Sequence, residues 1–367
     1  MTKNKVPQIR FKGFSGEWKE SDLGDKVEFF SGLTYSPNNV VKNNGTLVLR
    51  SSNVKDGRII DADNVYVNSD VVNCSNVQKG DIAVVVRNGS RSLIGKHAQI
   101  QKEMKNTVIG AFMTGIRSEQ PSFTNALLDS SKFSKEIEKN LGATINQITT
   151  GAFKKMIFFF PEQDEQTKIG DYFQQLDKLI EQKEKKYQKL KQFKKAMLSK
   201  MFPKNGADTP EIRFKGFSGK WEEKKLGDIG KTFTGLSGKT KEDFGHGEGR
   251  FITYMNIFSN PISKHNLTEP IEIDDKQNEV QLGDVFFTTS SETPEEVGMT
   301  SIWMNKGNNI YLNSFCFGYR PEKVFDLYYL AYMLRSSYVR KKIIFLAQGI
   351  SRYNISKNKV MEIYVPI

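Results

Sequence analysis

Two kinds of hydrophobic pattern follow one another along the chain. Short runs rich in β-branched and aromatic residues, bounded by Gly, Asn, Ser and Asp, predict strands. In the first part of the chain these runs are LVLRSSNV (47–54), DIAVVV (81–86), TVIGAFMTGI (107–116) and MIFFF (156–160). In the last part they are FITYMNI (251–257), DVFFTT (284–289), NSFCFGY (313–319) and MEIYV (361–365). Each part also contains one helical stretch, at 125–141 and 325–346, so the pattern predicts an α+β fold with a mostly antiparallel or mixed β core in each part.

The segment 162–202 has a helical pattern instead. Its apolar residues recur in steps of three and four or their sums, at Ile169, Phe173, Leu176, Ile180, Tyr187, Leu190, Met197 and Met201. Lys183 and Lys194 occupy two gaps in this stripe, and no Gly or Pro follows Gly170. The pattern predicts one amphipathic helix with a coiled-coil seam, about 60 Å long, that ends at the breaker cluster 203–206. Because such a helix cannot bury its whole stripe on one domain, we expect it to act as a spacer or to pair with a partner.

An internal repeat relates the first part of the chain to the last part. The stretch PQIRFKGFSGEWKESDLGD (7–25) returns as PEIRFKGFSGKWEEKKLGD (210–228), 203 residues later and with five differences. The same offset aligns VQKGDI (77–82) with VQLGDV (280–285), and Gly115-Ile116-Arg117 with Gly318-Tyr319-Arg320. After a slip of two residues, FFFP ending at Pro161 aligns with IYVP ending at Pro366. We therefore predict two divergent copies of one domain of about 155 residues, with the first domain at 1–161, a central spacer helix at 162–203 and the second domain at 204–367.

Composition and charge narrow the class of protein. The 367 residues suit two domains, and 54 basic against 42 acidic residues give a net charge of +12. This excess favours a polyanionic partner such as nucleic acid, although a lysine-rich surface gives the same charge without one. The chain shows no signal sequence or membrane-spanning run, so we expect a cytoplasmic location. Cys74 and Cys316 are expected to be packed thiols rather than a disulfide or part of a zinc site.

Catalytic and metal-binding motifs are not evident. GLSGKT (235–240) is two residues shorter than a phosphate-binding loop, and GLTY (32–35) occupies the same place in the first copy without a lysine. We interpret it as a turn of the repeat; an enzyme using it on a nucleotide would lose ATP binding in a Lys239→Ala variant. The three histidines, His97, His246 and His265, lack metal-site spacing. No catalytic or metal-ligating residue is therefore predicted.

Polar loops follow equivalent strands in the two copies. RNGSRSLIGK (87–96) follows one strand and TTSSETPEE (288–296) the other, while GATINQITTG (142–151) and GISRYNIS (349–356) precede the last strands. Arg and Asn side chains can donate to purine edges, and hydroxyls can bind bases or phosphates, although each such residue can equally be a hydrogen-bonded loop tip. The candidate DNA contacts are Arg87, Asn88, Arg91, Asn146, Gln147, Thr289, Ser290, Ser291, Arg352, Tyr353 and Asn354.

On these features the chain resembles the specificity (S) subunit of type I restriction–modification enzymes. The resemblance covers essentially the whole chain. It rests on the two PxIRFKGFSGxW openings, on EQTKIGDYFQQLDKLI (165–180) and KAMLSKMFP (195–203) at the two ends of the central helix, and on the order domain, helix, domain.

The resemblance implies two target-recognition domains that each read one half of a split DNA site. It implies that the helix is a spacer and docks two methylation subunits, which restriction subunits join. Catalysis, with S-adenosylmethionine, ATP and Mg, is then expected in the partner subunits and not in this chain. Family members usually carry a second long helix after the second domain, whereas this sequence stops at Ile367. We therefore expect the central helix to pair with a partner subunit or with a second copy of itself. The alternative is a non-catalytic coiled-coil adaptor whose basic charge is incidental.

Overall fold

The computed structural model describes residues 5–42, 44–141, 146–204 and 207–367. The chain divides into two compact units, unit 1 (Met1–Lys185) and unit 2 (Lys186–Ile367). The division falls inside the central helix, so each unit includes one part of that helix. Both units combine helices and sheets, which confirms the predicted α+β class.

Unit 1 contains twelve described strands and three short helices before the central helix. The strands are β1 (Lys19–Asp22), β2 (Glu28–Ser31), β3 (Val40–Val41), β4 (Thr46–Leu49), β5 (Val54–Lys55), β6 (Arg58–Ile59), β7 (Val65–Val67), β8 (Ile82–Val85), β9 (His97–Gln99), β10 (Thr107–Ile109), β11 (Met113–Arg117) and β12 (Ile157–Phe160). The helices are α1 (Pro121–Leu128), α2 (Ser131–Asn140) and α3 (Thr150–Lys154).

Two four-stranded sheets form the frame of unit 1. One has the order β2-β11-β8-β9 and is antiparallel throughout. The other has the order β10-β4-β7-β3 and is mixed, because β10 and β4 run parallel. The side chains of β8 are buried on both faces of its sheet. They pack in one core with Phe133 of α2 and Phe153 of α3, so helix and sheet share the same apolar interior.

Unit 2 repeats this plan with one more strand in its main sheet. Its strands are β13 (Glu223–Lys225), β14 (Gly230–Thr234), β15 (Phe244–Ile252), β16 (Ile262–Ser263), β17 (Thr268–Ile271), β18 (Val285–Thr288), β19 (Ser290–Ser291), β20 (Thr300–Trp303), β21 (Ile310–Leu312), β22 (Cys316–Pro321), β23 (Tyr353–Asn354) and β24 (Tyr364–Pro366). Its main sheet has the order β14-β22-β18-β20-β16, and a three-stranded sheet has the order β17-β15-β21. The central helix α4 (Gln163–Lys200) comes before these strands, and the remaining helices are α5 (Leu226–Ile229), α6 (Tyr254–Ser259), α7 (Leu327–Leu334), α8 (Ser337–Phe345) and α9 (Lys357–Met361).

Equivalent strands meet in equivalent registers in the two units. Gly115 of β11 faces Phe30 of β2, and Gly318 of β22 faces Phe233 of β14. A Cβ at either glycine would lie only 2.0 Å from the facing ring, so a hydrogen in place of a side chain is needed at both positions. The 203-residue repeat of the sequence is therefore also a repeat of packing.

Some predicted elements differ in the structure. In FITYMNI the strand ends at Ile252, and Tyr254–Ser259 forms α6, because the Thr253 side chain accepts a hydrogen bond from the Asn256 N–H and caps a helix. In LVLRSSNV the middle forms a 3-10 turn at Ser51–Asn53. In MEIYV the first residue still belongs to α9.

Each predicted late helical stretch is in fact two helices. In unit 1 the Ser130 side chain accepts a hydrogen bond from the Phe133 N–H and starts α2, while in unit 2 Ser336 does the same for the Val339 N–H and starts α8. A serine in this capping position begins a new helix, so the continuous apolar pattern of each stretch hid a break.

The prediction of one long central helix is confirmed, since α4 runs without interruption for 38 residues. Its predicted end at 203–206 lies partly outside the described residues, which omit 205 and 206. Near the start, Ile169 packs against the core of unit 1, and near the end Leu198 packs against a core of unit 2. Most apolar residues of the middle stretch are exposed, namely Phe173, Leu176, Ile180, Tyr187 and Leu190. No helix of the described chain is long and apolar enough to cross a membrane.

Candidate nucleic-acid interface

In unit 1 the two predicted polar loops lie side by side. Arg87 and Gln147 form an antiparallel bridge. The Asn88 N–H donates to the Asn146 carbonyl at 3.2 Å, and the Ile148 N–H donates to the Val86 carbonyl at 2.9 Å. Residues 142–145 of the second loop lie outside the described residues. The structure thus brings Arg87, Asn88, Asn146 and Gln147 together, although the 45 residues 97–141 separate the two loops in the sequence.

The amides of this surface stabilise the loops. The Asn88 Nδ2 donates to Ser51 Oγ at 3.1 Å, and its Oδ1 accepts from the Ser90 N–H at 2.9 Å. The Asn146 Nδ2 donates to the Gly89 carbonyl at 2.9 Å. Because these bonds already use the amide groups, Asn88 and Asn146 are better suited to shape the surface than to reach a ligand.

Arg87, Arg91 and Gln147 are exposed on the same loops. The Arg87 guanidinium carbon lies 5.0 Å from the centre of the Phe112 ring, a cation–π distance that holds the side chain in place. Arg91 begins a short 3-10 turn at Arg91–Leu93. Arg87 thus presents an exposed positive charge beside an aromatic ring.

In unit 2 the equivalent loops form a small sheet. Strand β19 pairs antiparallel with β23, joining Ser290 to Asn354 and Ser291 to Tyr353. The Ile355 N–H donates to the Thr289 carbonyl at 3.0 Å. This bond matches the bond from Ile148 to Val86 in unit 1, since Thr289 lies 203 residues after Val86. The two units therefore attach the last loop to the strand-end loop in the same way.

Ser290 and Ser291 were expected to contact DNA, but the structure buries both of them. Each is only 7% exposed, because the strand pairing covers them. The Tyr254 hydroxyl donates to the Ser290 carbonyl at 2.7 Å, and the Ser291 hydroxyl donates to Glu296 at 3.3 Å. The two serines therefore hold the loop in place.

The outward part of the unit 2 surface comes from neighbouring residues. Arg352 and Asn354 are exposed, and Tyr353 and Thr289 are half-buried. The Thr289 hydroxyl donates to the Phe315 carbonyl at 2.8 Å, so it also fixes the loop that contains Phe315. Of the predicted residues in this unit, Arg352 and Asn354 are thus the most accessible to a ligand.

Two half-buried arginines, Arg335 and Arg340, support this surface of unit 2, and the sequence pattern did not indicate them. Arg340 donates to the carbonyls of Glu295, Val297 and Gly298 at 2.9, 2.6 and 2.6 Å, and so anchors the end of the loop that follows β19. Arg335 donates to the carbonyl of Thr300 at 2.6 Å and to three carbonyls of the segment 257–260. Burial lowers the pKa of each guanidinium to about 10. Both remain charged at neutral pH, and backbone oxygens stabilise them.

Two exposed phenylalanines were also missed. Phe112 and Phe315 lie 203 residues apart, beside the strand-end loops of unit 1 and unit 2, and they are 56% and 62% exposed. The offset of the repeat would have revealed them, because it places a Phe at the same position of both copies.

The lysine of GLSGKT is paired with carboxylates. Lys239 Nζ lies 2.8 Å from Asp274 Oδ2 and 3.9 Å from Asp243 Oδ1. The hydrogen bond from Lys239 lowers the pKa of Asp274 to about 2, so the carboxylate is ionised at neutral pH and neutralises the lysine. This favours the predicted structural turn over a phosphate site.

The described residues contain no group of three or more His, Cys, Asp and Glu that could hold a metal ion. His97 packs edge-on against Phe133, and His265 packs against Trp303. Cys316 is buried, which raises the pKa of its thiol to about 12. Cys74 packs at the edge of a small apolar cluster, so both cysteines are packed thiols as predicted.

The chain belongs to the family described as the type I restriction modification DNA specificity domain, whose model matches residues 15–192 and again 218–367. This confirms the predicted family and the duplication. Two curated proteins are similar over part of the chain. The type I restriction enzyme StySPI specificity subunit of Salmonella potsdam is 26% identical over an alignment of 194 residues, which covers 50% of this chain and 42% of that protein. The type I restriction enzyme EcoKI specificity subunit of Escherichia coli (strain K12) is 26% identical over 193 residues, 49% of this chain and 41% of its own. The match thus spans less than half the length of either relative.

Solved structures show the same fold. A chain from work on complex assembly and conformational transition of the type I R-M system superposes with a TM-score of 0.56 at 14% identity, and the match covers 98% of this chain and 87% of that one. The type I restriction–modification S subunit from M. genitalium gives a TM-score of 0.54 at 14% identity, covering 99% and 87%. At this identity the likeness concerns the fold alone, and it includes both units and the central helix.

Proposed function

We propose that this chain is the DNA-binding specificity subunit of a type I restriction–modification complex, and that each unit reads one half of a split DNA site. The observation that carries the proposal is the loop surface built twice on one backbone plan with different side chains. On these matching loops unit 1 exposes Arg87 and Gln147, whereas unit 2 exposes Arg352 and Asn354. Equivalent frames with different side chains suit the reading of two different base sequences.

Charge supports a nucleic-acid ligand. The net charge of +12 provides affinity for phosphates that does not depend on sequence, and the loops then supply discrimination between bases. Arg87 and Arg352 are exposed on the proposed surfaces of unit 1 and unit 2. Their guanidinium groups have the geometry to donate two hydrogen bonds to guanine or to a phosphate.

The central helix would set the gap between the half-sites. At about 1.5 Å per residue, an uninterrupted helix of this length is a stiff element of about 57 Å. A separation of about one DNA turn, or roughly 34 Å, is the spacing that two-headed DNA readers commonly use. We infer that the gap tolerated in the target follows from the length of α4.

The same helix would dock partner subunits. The side chains of its middle stretch are exposed although several are large and apolar, a combination that marks an interaction surface. We propose that two methylation subunits bind there, joined by restriction subunits, and that a second copy of this chain is the competing partner. Adenine methylation and ATP-driven cleavage, with S-adenosylmethionine, ATP and Mg, would then belong to the partners, and this chain would have no catalytic role.

The proposal is tested by mapping methylated adenines in cells that carry this chain with its methylation subunits. One split motif is expected. Exchanging residues 26–160 for the equivalent domain of another family member should change one half of the motif and leave the other half unchanged. Inserting four residues, about one helical turn, after Lys183 should change the gap only. Methylation without a split motif, or a change in both halves after the exchange, would refute two independent reading units.

The alternative is an adaptor that uses its helix to assemble proteins and does not read DNA. The purified complex separates the two cases by its binding to the mapped duplex and to a duplex of scrambled sequence at rising salt. A specificity subunit prefers the mapped duplex at every salt concentration. An adaptor with incidental charge binds both duplexes equally and releases both as salt rises.

A further inference from the structure

Phe112 and Phe315 occupy equivalent turns of the two units. Phe112 lies between β10 and β11, and Phe315 lies between β21 and β22. Their neighbours differ, since Ala111 in one unit corresponds to Ser314 in the other. Scattered single apolar residues are ordinary on a protein surface. A large aromatic ring exposed at the same position of both copies needs a separate explanation.

Packing does not provide that explanation. Neither ring belongs to the hydrophobic cores of the described chain or packs against them as a partly buried neighbour. With more than half of its surface in water, each ring forgoes most of the stabilisation that burial would give.

The backbone of each phenylalanine does have a structural role. The Phe112 carbonyl accepts hydrogen bonds from the N–H groups of Val86 and Arg87, at 3.0 and 3.2 Å. The Phe315 carbonyl accepts from the Thr289 N–H at 3.1 Å and from its hydroxyl at 2.8 Å. Any residue supplies a carbonyl, so these bonds explain the shape of the turn but not the choice of phenylalanine. The role of the ring can therefore be separated from that of the backbone by substitution.

Both rings lie directly beside the loops to which we assign base reading. In unit 1 the Arg87 guanidinium lies over the ring of Phe112, which gives a cation and an apolar surface at one point. DNA offers the matching pair of groups, because phosphates border grooves whose floor carries apolar base surface. A protein partner is a weaker fit, since it would have to meet the same point on two loops that otherwise differ in sequence.

We propose that Phe112 and Phe315 are DNA-contacting residues that press an aromatic ring against the apolar surface of a base, one in each half-site. This rests on the proposed function and adds a contact type to it. The base surface is either a thymine methyl group in the major groove or the face of a base at a partly opened step. In both cases the ring contributes to the choice of sequence in its own half-site.

The test uses the full chain assembled with its methylation subunits and the mapped target duplex. Phe112→Ala and Phe315→Ala should each weaken binding about tenfold, in line with the loss of one aromatic contact to a base. Each variant should relax the methylated motif only in the half read by its own unit. Phe345→Ala is the matched control, because Phe345 is 89% exposed on α8 of unit 2 and belongs to neither of the loops 288–296 and 349–356, and it should bind as the parent does.

Two further arms distinguish the two kinds of base surface. If the ring contacts a thymine methyl group, deoxyuridine in place of one thymine should weaken the parent complex but not the Ala variant. If the ring enters an opened step, 2-aminopurine at that step should brighten on binding of the parent and stay dim with the Ala variant. Phe112→Leu and Phe315→Leu keep apolar volume without a ring, so they should retain the methyl contact and lose the stacking.

The outcomes also distinguish the proposed aromatic contact from the proposed specificity function on which it rests. If the parent complex recognises a split target and all four variants bind and methylate it as the parent does, the aromatic contact is refuted and the specificity function stands. If the parent complex recognises no split target, the proposed function itself fails. Hydrogen exchange of the loops 86–91 and 289–296 in each variant shows whether the turn is intact, and the Leu variants decide the case if an Ala variant disturbs it.

Discussion

Arg117 donates two hydrogen bonds to the buried carboxylate of Asp81, from Nε to Oδ1 at 2.9 Å and from Nη2 to Oδ2 at 2.8 Å. In unit 2, Arg320 and Asp284 repeat both bonds at 2.8 and 2.7 Å. In each unit the aspartate also accepts the N–H of the residue three positions earlier. In unit 1 the ion pair thus connects β11 to the turn that precedes β8, the strand that leads into the polar loop 87–96. In unit 2 the equivalent pair connects β22 to the turn that precedes β18, which leads into the polar loop 288–296.

Removing the arginine from one unit should destabilise that unit alone. Arg117→Ala leaves the Asp81 carboxylate buried without its partner, which should cost about 3 kcal/mol of folding free energy. Hydrogen exchange measured by mass spectrometry should show faster exchange in β8 and β11 of unit 1. Arg117→Lys keeps the positive charge but cannot form the bidentate pair of hydrogen bonds, so it should recover only part of the lost folding free energy. Equal protection in Arg117→Ala and the parent would mean that the ion pair adds no stability.

A methyl group at Gly115 should disturb the same sheet. It would meet the Phe30 ring at 2.0 Å, and the Arg117 guanidinium already covers that ring at 5.1 Å. We expect Gly115→Ala to cost about 1–3 kcal/mol in urea unfolding, the usual range for overpacking. Adding Phe30→Leu should return part of this loss.

Gly151→Ala is the control for that substitution. The nearest atom to its added methyl group is 3.9 Å away, and the residue lies in helix α3, where alanine is favourable. The control should be neutral or slightly stabilising. If both glycine variants lose the same stability, contact with Phe30 is not the cause.

The ion pair between Lys239 and Asp274 should give unit 2 an acid-sensitive contribution. Lys239 holds the pKa of the folded-state carboxyl at about 2, below its ordinary value of 3.8. Since the folded pKa is depressed, the contribution is fully present above about pH 4 and is lost as pH falls towards 2. The difference in urea midpoint between the parent and Asp274→Asn should therefore be largest near neutral pH and vanish near pH 2. A difference that does not change with pH would mean that the charge of Asp274 has no part in it.

The exposed middle of α4 should be needed for assembly but not for folding. Replacing Tyr187 and Leu190 by serine removes two large apolar contacts, each of which contributes about 1.5–3 kcal/mol when buried in an interface. Binding of the methylation subunits, or self-association in their absence, should weaken at least tenfold in analytical ultracentrifugation. Helix content in circular dichroism should change little, because both side chains are exposed in this chain.

The exposed Lys186 and Lys189 flank these two positions and provide the matched control. Their double serine variant should assemble as the parent does, because charged stems contribute less to an apolar seam. Equal assembly by the Tyr187 and Leu190 variant would exclude this stripe as the docking surface.

The repeat and the central helix could be predicted because both are local patterns. The offset of 203 residues appears in short motifs, and the stripe of α4 follows from steps of three and four residues. Both signals are independent of contacts between distant parts of the chain. The correspondence of the polar loops between the two copies was also indicated, since each loop adjoins a strand of the repeat, whereas the pairing of the two loops within each unit was not predicted.

The detail of the candidate surface depends on contacts that no local pattern reports. Ser290 and Ser291 are buried by a strand more than 60 residues later, so composition alone placed them outside. Arg340 resembles an ordinary surface arginine in the sequence, yet its partners are carbonyls more than 40 residues earlier. The prediction of a strand over TYMNI (253–257) was wrong, because the Thr253 side chain accepts a hydrogen bond from the Asn256 N–H and starts a helix despite the β-type composition.

The loop frames of both units are held mainly by main-chain groups, as in the bonds from Ile148 to Val86 and from Ile355 to Thr289. Every residue other than proline supplies such groups, so the frames place few demands on the identity of the outward side chains. Each unit is therefore a good starting point for laboratory evolution. Libraries randomised at Arg87 and Gln147, or at Arg352 and Asn354, should yield folded proteins at high frequency and allow the two halves of a target to be redesigned one at a time.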